Sequence, residues 1–169
     1  MKEILKYSCF IFIYALSHSY IVTCFAIDLK IQGYEERYIG LSLSLWGVGV
    51  ILGALLHNSI RKKLNLFSTI LYGSLIQFTL SLIFLFDQNT YLVALVQFVM
   101  GVTSAINSLT IETYITSKFR KSSGFYISLF WSSAGLGAIM GSLFIAINGI
   151  NYFTYYIAVL FFLLHFVPI

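Results

Sequence analysis

The chain has 169 residues, of which 59% are hydrophobic and only 9% are charged. In globular domains about a quarter of the residues are charged. This composition therefore excludes an ordinary soluble fold and predicts an all-α integral membrane protein. The formal net charge of +4 does not indicate nucleic-acid binding, because in a membrane chain the positions of Lys and Arg set the topology. Cys9 and Cys24 have no further ligands nearby, so no metal site is predicted.

Six apolar segments are long enough to cross a bilayer. A helix rises about 1.5 Å per residue, so about 20 apolar residues span a hydrocarbon core of about 30 Å. The predicted spans are approximately residues 8–27, 38–56, 65–86, 90–115, 124–147 and 152–168. The turns are short and no Pro-rich or Gly/Ser-rich linker separates them. Residues 1–169 are therefore predicted to form a single transmembrane domain whose consecutive helices are antiparallel neighbours.

The basic residues predict the orientation of these spans. Eight of the ten Lys and Arg lie in the lead and in the turns after the second and fourth spans: Lys2, Lys6, Arg61, Lys62, Lys63, Lys118, Arg120 and Lys121. The opposite side holds only Lys30 and Arg37. By the positive-inside rule, both termini are predicted to be cytoplasmic.

Glu112 is the only carboxylate predicted to lie inside a span. An ionisable group at the centre of a membrane helix costs about 2.5 to 3.5 kcal/mol on insertion scales, which makes it a functional candidate. Two interpretations stay open. Glu112 could serve in coupling or gating, or it could form a structural ion pair at the cytoplasmic rim, because Lys118 and Arg120 follow about two turns later.

A polar stripe runs along the fourth span. At about 100° per residue, its members fall within about 80° of one another: Gln97, Gly101, Ser104, Ser108 and Glu112. Such a stripe turns away from lipid and is typical of packing between helices. In the first span, His18 lies near mid-membrane, where it could relay protons; a neutral His18 bonded to a neighbouring helix is the favoured interpretation.

Two pairs of glycines have the spacing that permits close approach of membrane helices. Gly49 and Gly53 lie in the second span, and Gly137 and Gly141 lie in the fifth. Small residues four apart let two backbones come together, so these four residues are predicted packing positions. Near one end of the sixth span, Tyr152, Tyr155 and Tyr156 are typical of lipid-facing anchors.

Two motifs resemble the amino-terminal half of a major facilitator superfamily (MFS) transporter. The turn after the second helix in that family reads approximately G-x-L-a-D-r-x-G-r-k. Here the matching residues are Gly53, Leu55, Arg61 and Lys62, while His57 replaces the Asp and Ile60 the second Gly. In the fourth helix the family often has R-f-x-x-G, and here Gln97 replaces the Arg. The segments 111–114 and 124–126, with the basic turn between them, resemble a bacterial branch of the family.

The resemblance implies a six-helix half built as a 3+3 repeat, which transports a small solute by alternating access in a bacterial inner membrane. It implies a cytoplasmic gate between Glu112 and one of Arg61, Lys62 or Arg120. The implied substrate-lining residues are Tyr14, His18, Gln97 and Ser104. Besides the lipid bilayer and a small-molecule substrate, the expected partner is a second six-helix half or a second copy, since the family places its substrate site between two halves.

Two other classes of function fit the sequence less well than a transporter half. A truncated or decayed membrane protein that does not transport, or an assembly partner, is the alternative, favoured by the departures at His57 and Gln97. An intramembrane enzyme is not predicted, because His18, His57 and His165 fall on separate helices or rims without a nucleophile motif. No cofactor is predicted.

Overall fold

The computed structural model describes residues 2–83, 90–149 and 154–164. Over these ranges the chain folds into six α-helices joined by turns, without strands. The helices are α1 (Lys2–Ile31), α2 (Glu36–Arg61), α3 (Leu66–Ile83), α4 (Thr90–Lys118), α5 (Ser123–Asn148) and α6 (Thr154–Leu164).

Five of these helices, α1 to α5, are long and apolar enough to cross a membrane. The prediction of an all-helical chain with membrane-length apolar helices is therefore confirmed for these five. Helix α1 has 30 residues and α4 has 29, because each apolar segment continues into a polar end without a helix breaker. The described part of α6 has 11 residues. The rest of the predicted sixth span, and residues 84–86 of the third, lie outside the described residues.

Helices α1 and α5 form one closely packed pair. A side chain at Gly137 would collide with the carbonyl oxygen of Phe12, and one at Gly141 with that of Leu16. The contacts advance along both helices in the same direction, so the two helices are parallel. Directly after Gly141, Ser142 shares a hydrogen bond of 2.7 Å with Ser19. Glycine at both positions is required because the backbones themselves are in contact.

Helices α2 and α4 form a second pair with the same design. Gly49 faces the carbonyl oxygen of Phe98, and Gly53 faces that of Val102. Gly101 of α4 faces the carbonyl oxygen of Trp46 in return. The backbones interlock from both sides, and these two helices are also parallel. All four glycines predicted as packing positions thus lie at helix contacts.

The remaining contacts arrange the other helices around these two pairs. Helix α3 packs on α4, α6 packs on α1, and α3 also contacts α6. The short turns predict antiparallel neighbours. Among the described residues, α3 and α4 do pack on each other, but the other consecutive helices, such as α1 and α2, contact each other at few positions. The most extensive packing joins helices that are not consecutive, α1 with α5 and α2 with α4. The glycine faces explain this, because they allow closer approach than the faces that consecutive helices present to each other.

Polar side chains connect the outer helices to the pairs. In the interface of α3 and α4, Gln77 Nε2 donates to Thr103 Oγ1 at 3.1 Å, and both residues are buried. In α6, the Tyr155 hydroxyl donates to Asp28 Oδ2 of α1 at 3.2 Å. Tyr155 is only 8% exposed, so its assignment as a lipid-facing anchor is wrong. Its hydroxyl has a partner on α1, and the position of Tyr155 in the sequence does not reveal this partner.

Candidate functional site

A cavity of about 530 Å³ lies between the two helix pairs, and α1, α2, α4 and α5 all contribute to its wall. Its polar and aromatic lining residues are Tyr14, His18, Ser19, Trp46, Ser104, Ser108 and Trp131. Alanines and Gly135 complete much of the remaining wall. Small side chains leave the space open, and the volume falls in the range of about 300 to 1,000 Å³ that is typical of small-molecule sites.

The four predicted substrate-lining residues lie together at this cavity. Tyr14, His18 and Ser104 line it directly. Gln97 is fully buried and its Oε1 lies 3.2 Å from His18 Nε2, so that the imidazole N–H donates to the amide oxygen. This bond joins α1 to α4. It agrees with the bonding of His18 to a neighbouring helix that the favoured interpretation expects.

Aromatic rings surround His18 on two sides. The ring of Tyr14 is stacked with it, with centroids 5.9 Å apart and planes at 19°. The ring of Trp46 lies on another side, at a centroid distance of 5.2 Å. Three helix-borne rings thus form one continuous aromatic surface on the wall, to which α1 contributes two rings and α2 one.

Glu112 lies on α4 one turn beyond the lining residue Ser108 and is partly buried. Its Oε1 accepts a hydrogen bond from Nε1 of Trp131, on α5. Because Trp131 itself lines the cavity, this bond places the carboxylate beside one end of the cavity. It also connects α4 to α5, which otherwise share few contacts.

The three basic residues predicted to pair with Glu112 lie outside the cavity. Arg61 ends α2, Lys62 caps it, and Arg120 lies in the turn between α4 and α5; all three are exposed. Arg61 and Lys62 border a separate recess of about 390 Å³ together with Asn58. In the described part of the chain, Glu112 is not among the acids that form ion pairs, which are Glu3, Glu35 and Glu36.

The ion pair at this end of the protein joins α1 to α4 instead. Lys118 Nζ lies 2.6 Å from Glu3 Oε2. The hydroxyl of Tyr114 donates to the same carboxylate oxygen at 3.0 Å. The ring of Tyr7 packs edge-on against Tyr114, with centroids 5.6 Å apart. The sequence suggested Lys118 as a partner of Glu112 because the two residues are close in the chain. In the structure Lys118 pairs with Glu3, which is 115 residues away.

Sequence reasoning did not assign Trp46 or Trp131 to the site. They are the only two tryptophans of the chain, and both line the cavity. A signal for them exists in the sequence. Tryptophan in membrane helices concentrates at the two interfaces, but Trp46 and Trp131 lie well inside their spans, which indicates a role other than anchoring at an interface.

The described side chains hold no group of three or more His, Cys, Asp or Glu placed to bind a metal ion. Among the residues that the structure places on the cavity wall there is also no Asp, Glu, Lys or Arg. The site is therefore an aromatic and weakly polar cavity with one carboxylate beside it.

These features define the class: a membrane-embedded, all-helical protein with a small-molecule-sized cavity between two helix pairs. No protein-family model and no curated protein sequence matches the chain.

Proposed function

We propose that this protein is one six-helix half of a facilitator-type secondary transporter for a small solute, in a bacterial inner membrane. The observation that carries the proposal is the cavity, which is walled by two helices from the first three and two from the second three. In a carrier of two such halves, this wall would face the second half, and the site would open at either side of the membrane when the halves tilt against each other. The resemblance of the turn at Arg61 and Lys62 to the MFS motif points in the same direction.

The packing pattern supports a 3+3 repeat. If helices α1 to α3 are exchanged for α4 to α6, the pair α1/α5 becomes α4/α2 and the contact α1/α6 becomes α4/α3. Both members of each exchange are present. An odd number of spans per unit reverses the second unit in the membrane, which is the inverted arrangement nested within the halves of facilitator carriers.

The gate that we propose depends on Glu112 exchanging partners. In this conformation it accepts a hydrogen bond from Trp131. When the cytoplasmic end closes, Glu112 pairs with Arg61, Lys62 or Arg120, and when the carrier opens inward that pair breaks. An ion pair formed in one state and a hydrogen bond from the neutral indole formed in the other give two discrete arrangements, as a gate requires.

The second half is supplied by another chain or by a second copy. Helices α2 and α5 are the least buried of the five long helices, and they present apolar side chains such as Leu55 and Ile139 outward. These faces would contact the second half or lipid. The same faces fit the alternative of an assembly partner that does not transport, so the experiment has to separate the two functions.

A carrier and an assembly partner differ in whether the cavity can be reached from both sides of the membrane. In a background with Cys9→Ser and Cys24→Ala, Ser108→Cys places a thiol on the cavity wall. We expect a membrane-impermeant maleimide to label it in both inverted and right-side-out vesicles when a candidate second half is co-expressed. Ile139→Cys, which is 64% exposed but off the cavity, is the lipid-facing control and should stay unlabelled. Labelling from one side only, under all conditions, would contradict a carrier.

The same assay tests the gate. Glu112→Gln removes the charge that a basic partner needs, so labelling of Ser108→Cys from the cytoplasmic side should increase relative to labelling from outside. An unchanged ratio in a variant that still elutes as a folded monodisperse species would remove Glu112 from the gate while leaving the carrier proposal intact.

A further inference from the structure

The chemistry of the cavity identifies the class of solute. Trp46, Trp131 and Tyr14 place three large rings on the wall. The faces of such rings carry negative potential and attract a cation within about 6 Å of the centroid, tryptophan most strongly. The wall thus offers both apolar contact area and an attraction for positive charge.

The charged groups at the cavity also favour a cation over an anion. None of the described lining residues is Lys or Arg. His18 is bonded through Nε2 to the neutral amide oxygen of Gln97. The charged group nearest to the wall by direct bonding is the Glu112 carboxylate, held by the lining residue Trp131. An anion would find no opposite charge on this wall, and burying an unpaired charge is costly.

The basic residues of the same end lie elsewhere. Arg61 and Lys62 border one recess, and Lys118, Arg120 and Lys121 border another of about 400 Å³ at the turn between α4 and α5. Neither recess shares a lining residue with the cavity. A cation in the cavity is therefore not opposed by a basic side chain on the wall.

We propose that the cavity binds an organic cation with an aromatic or apolar body, such as a quaternary ammonium or phosphonium compound. The body lies against the rings of Trp46 and Tyr14, and the positive centre lies toward Trp131 and Glu112. The inference rests on the proposed function for its transport, whereas binding stands on the cavity alone.

Binding can be read directly from intrinsic fluorescence, because both tryptophans of the chain line the cavity. With the purified full chain, we expect tetraphenylphosphonium to quench tryptophan emission saturably. Tetraphenylborate, which has the same shape and the opposite charge, should give only linear, non-saturating quenching. Trp46→Phe and Trp131→Phe each leave one reporter, and saturable quenching in both variants would place the probe between the two rings.

The carboxylate is tested with a matched pair of variants. Glu112→Gln should weaken phosphonium binding on the order of tenfold or more, because the partner of the cation's charge is lost. Glu3→Gln makes the same change of charge at the same end of the protein, away from the cavity, and should leave the affinity within about twofold. Glu112→Asp, which keeps the charge, should retain saturable binding and guards against a folding defect in the Gln variant.

Equal saturable quenching by the phosphonium and the borate would overturn the proposal. A phosphonium affinity that Glu112→Gln leaves unchanged would also overturn it, because the aromatic rings would then bind the probe by stacking alone. Saturable binding without labelling of the cavity from both membrane sides keeps the cation site and overturns the carrier. Labelling from both sides without phosphonium binding keeps the carrier and overturns the solute class.

Discussion

His18 and Gln97 make one of the polar contacts between the two helix pairs at the level of the cavity. Gln97 is fully buried and His18 partly so. A buried hydrogen bond contributes modestly by itself, but a buried donor left without its acceptor costs about 1 to 3 kcal/mol. The contact therefore sets the orientation of the imidazole and, through stacking, that of Tyr14. The Gln at position 97 has a structural use here, although the MFS motif that this segment resembles carries Arg.

Gln97→Leu should destabilise the protein by about 1 to 3 kcal/mol, because the imidazole N–H of His18 loses its acceptor. The measurement is the free energy of unfolding in mixed micelles. In the double variant with His18→Leu, part of this loss should be recovered, with a coupling energy of about 0.5 to 2 kcal/mol. Strictly additive losses from the two single variants would contradict the bond.

At the scale of helices, the glycines determine which elements form pairs. Gly49 and Gly53 direct α2 to α4, and Gly137 and Gly141 direct α5 to α1. In each case the obstacle to a larger residue is a backbone carbonyl, which cannot move without the whole helix. Since water does not drive apolar helices together in lipid, close backbone packing carries much of their association.

Gly49→Val should therefore separate α2 from α4 and cost about 1 to 3 kcal/mol through overpacking. The measurement is the yield of monodisperse protein after detergent extraction, together with its thermal midpoint. Gly47→Val is the matched control. It lies two residues earlier on α2, where a Cβ meets no atom within 4 Å, and the propensity cost of valine is the same. Equal losses in both variants would show that packing is not the cause.

For the whole molecule, the topology follows from where the charges lie. The ion pair between Glu3 and Lys118 places the start of α1 and the end of α4 at one end of the bundle. The basic turns after α2 and α4 extend from this end as well, because α2 and α4 are parallel. Positive charge is thus concentrated at a single end, which we propose faces the cytoplasm because of the positive-inside rule.

In the cysteine-free background, Ser59→Cys and Ser122→Cys should react with an impermeant maleimide only in inverted vesicles. Gln32→Cys, in the turn between α1 and α2, should react only in right-side-out vesicles. All three native residues are exposed, so access depends on the side of the membrane and not on burial. Reaction of Ser59→Cys from the outside would reverse or break the predicted orientation.

Much of this architecture could be predicted from the sequence. Runs of about 20 apolar residues have no stable place in water, so these runs predicted the membrane helices and their approximate limits. The spacing of the glycines predicted the faces on which the helices pack. The polar stripe of α4 likewise indicated which side of the helix turns inward. These features depend on residues close to one another in the chain.

The tertiary structure alone decided the partners. Nothing local to Glu112 shows that its hydrogen bond comes from Trp131, 19 residues away on α5, or that Lys118 pairs with Glu3 and not with Glu112. The cavity is equally non-local, since it exists only where two helix pairs, each joined by glycine contacts, leave space between them. Sequence determines which faces turn away from lipid, but several inward faces can satisfy that requirement. Packing of the backbones at the glycines selects the arrangement in which both tryptophans meet at one cavity.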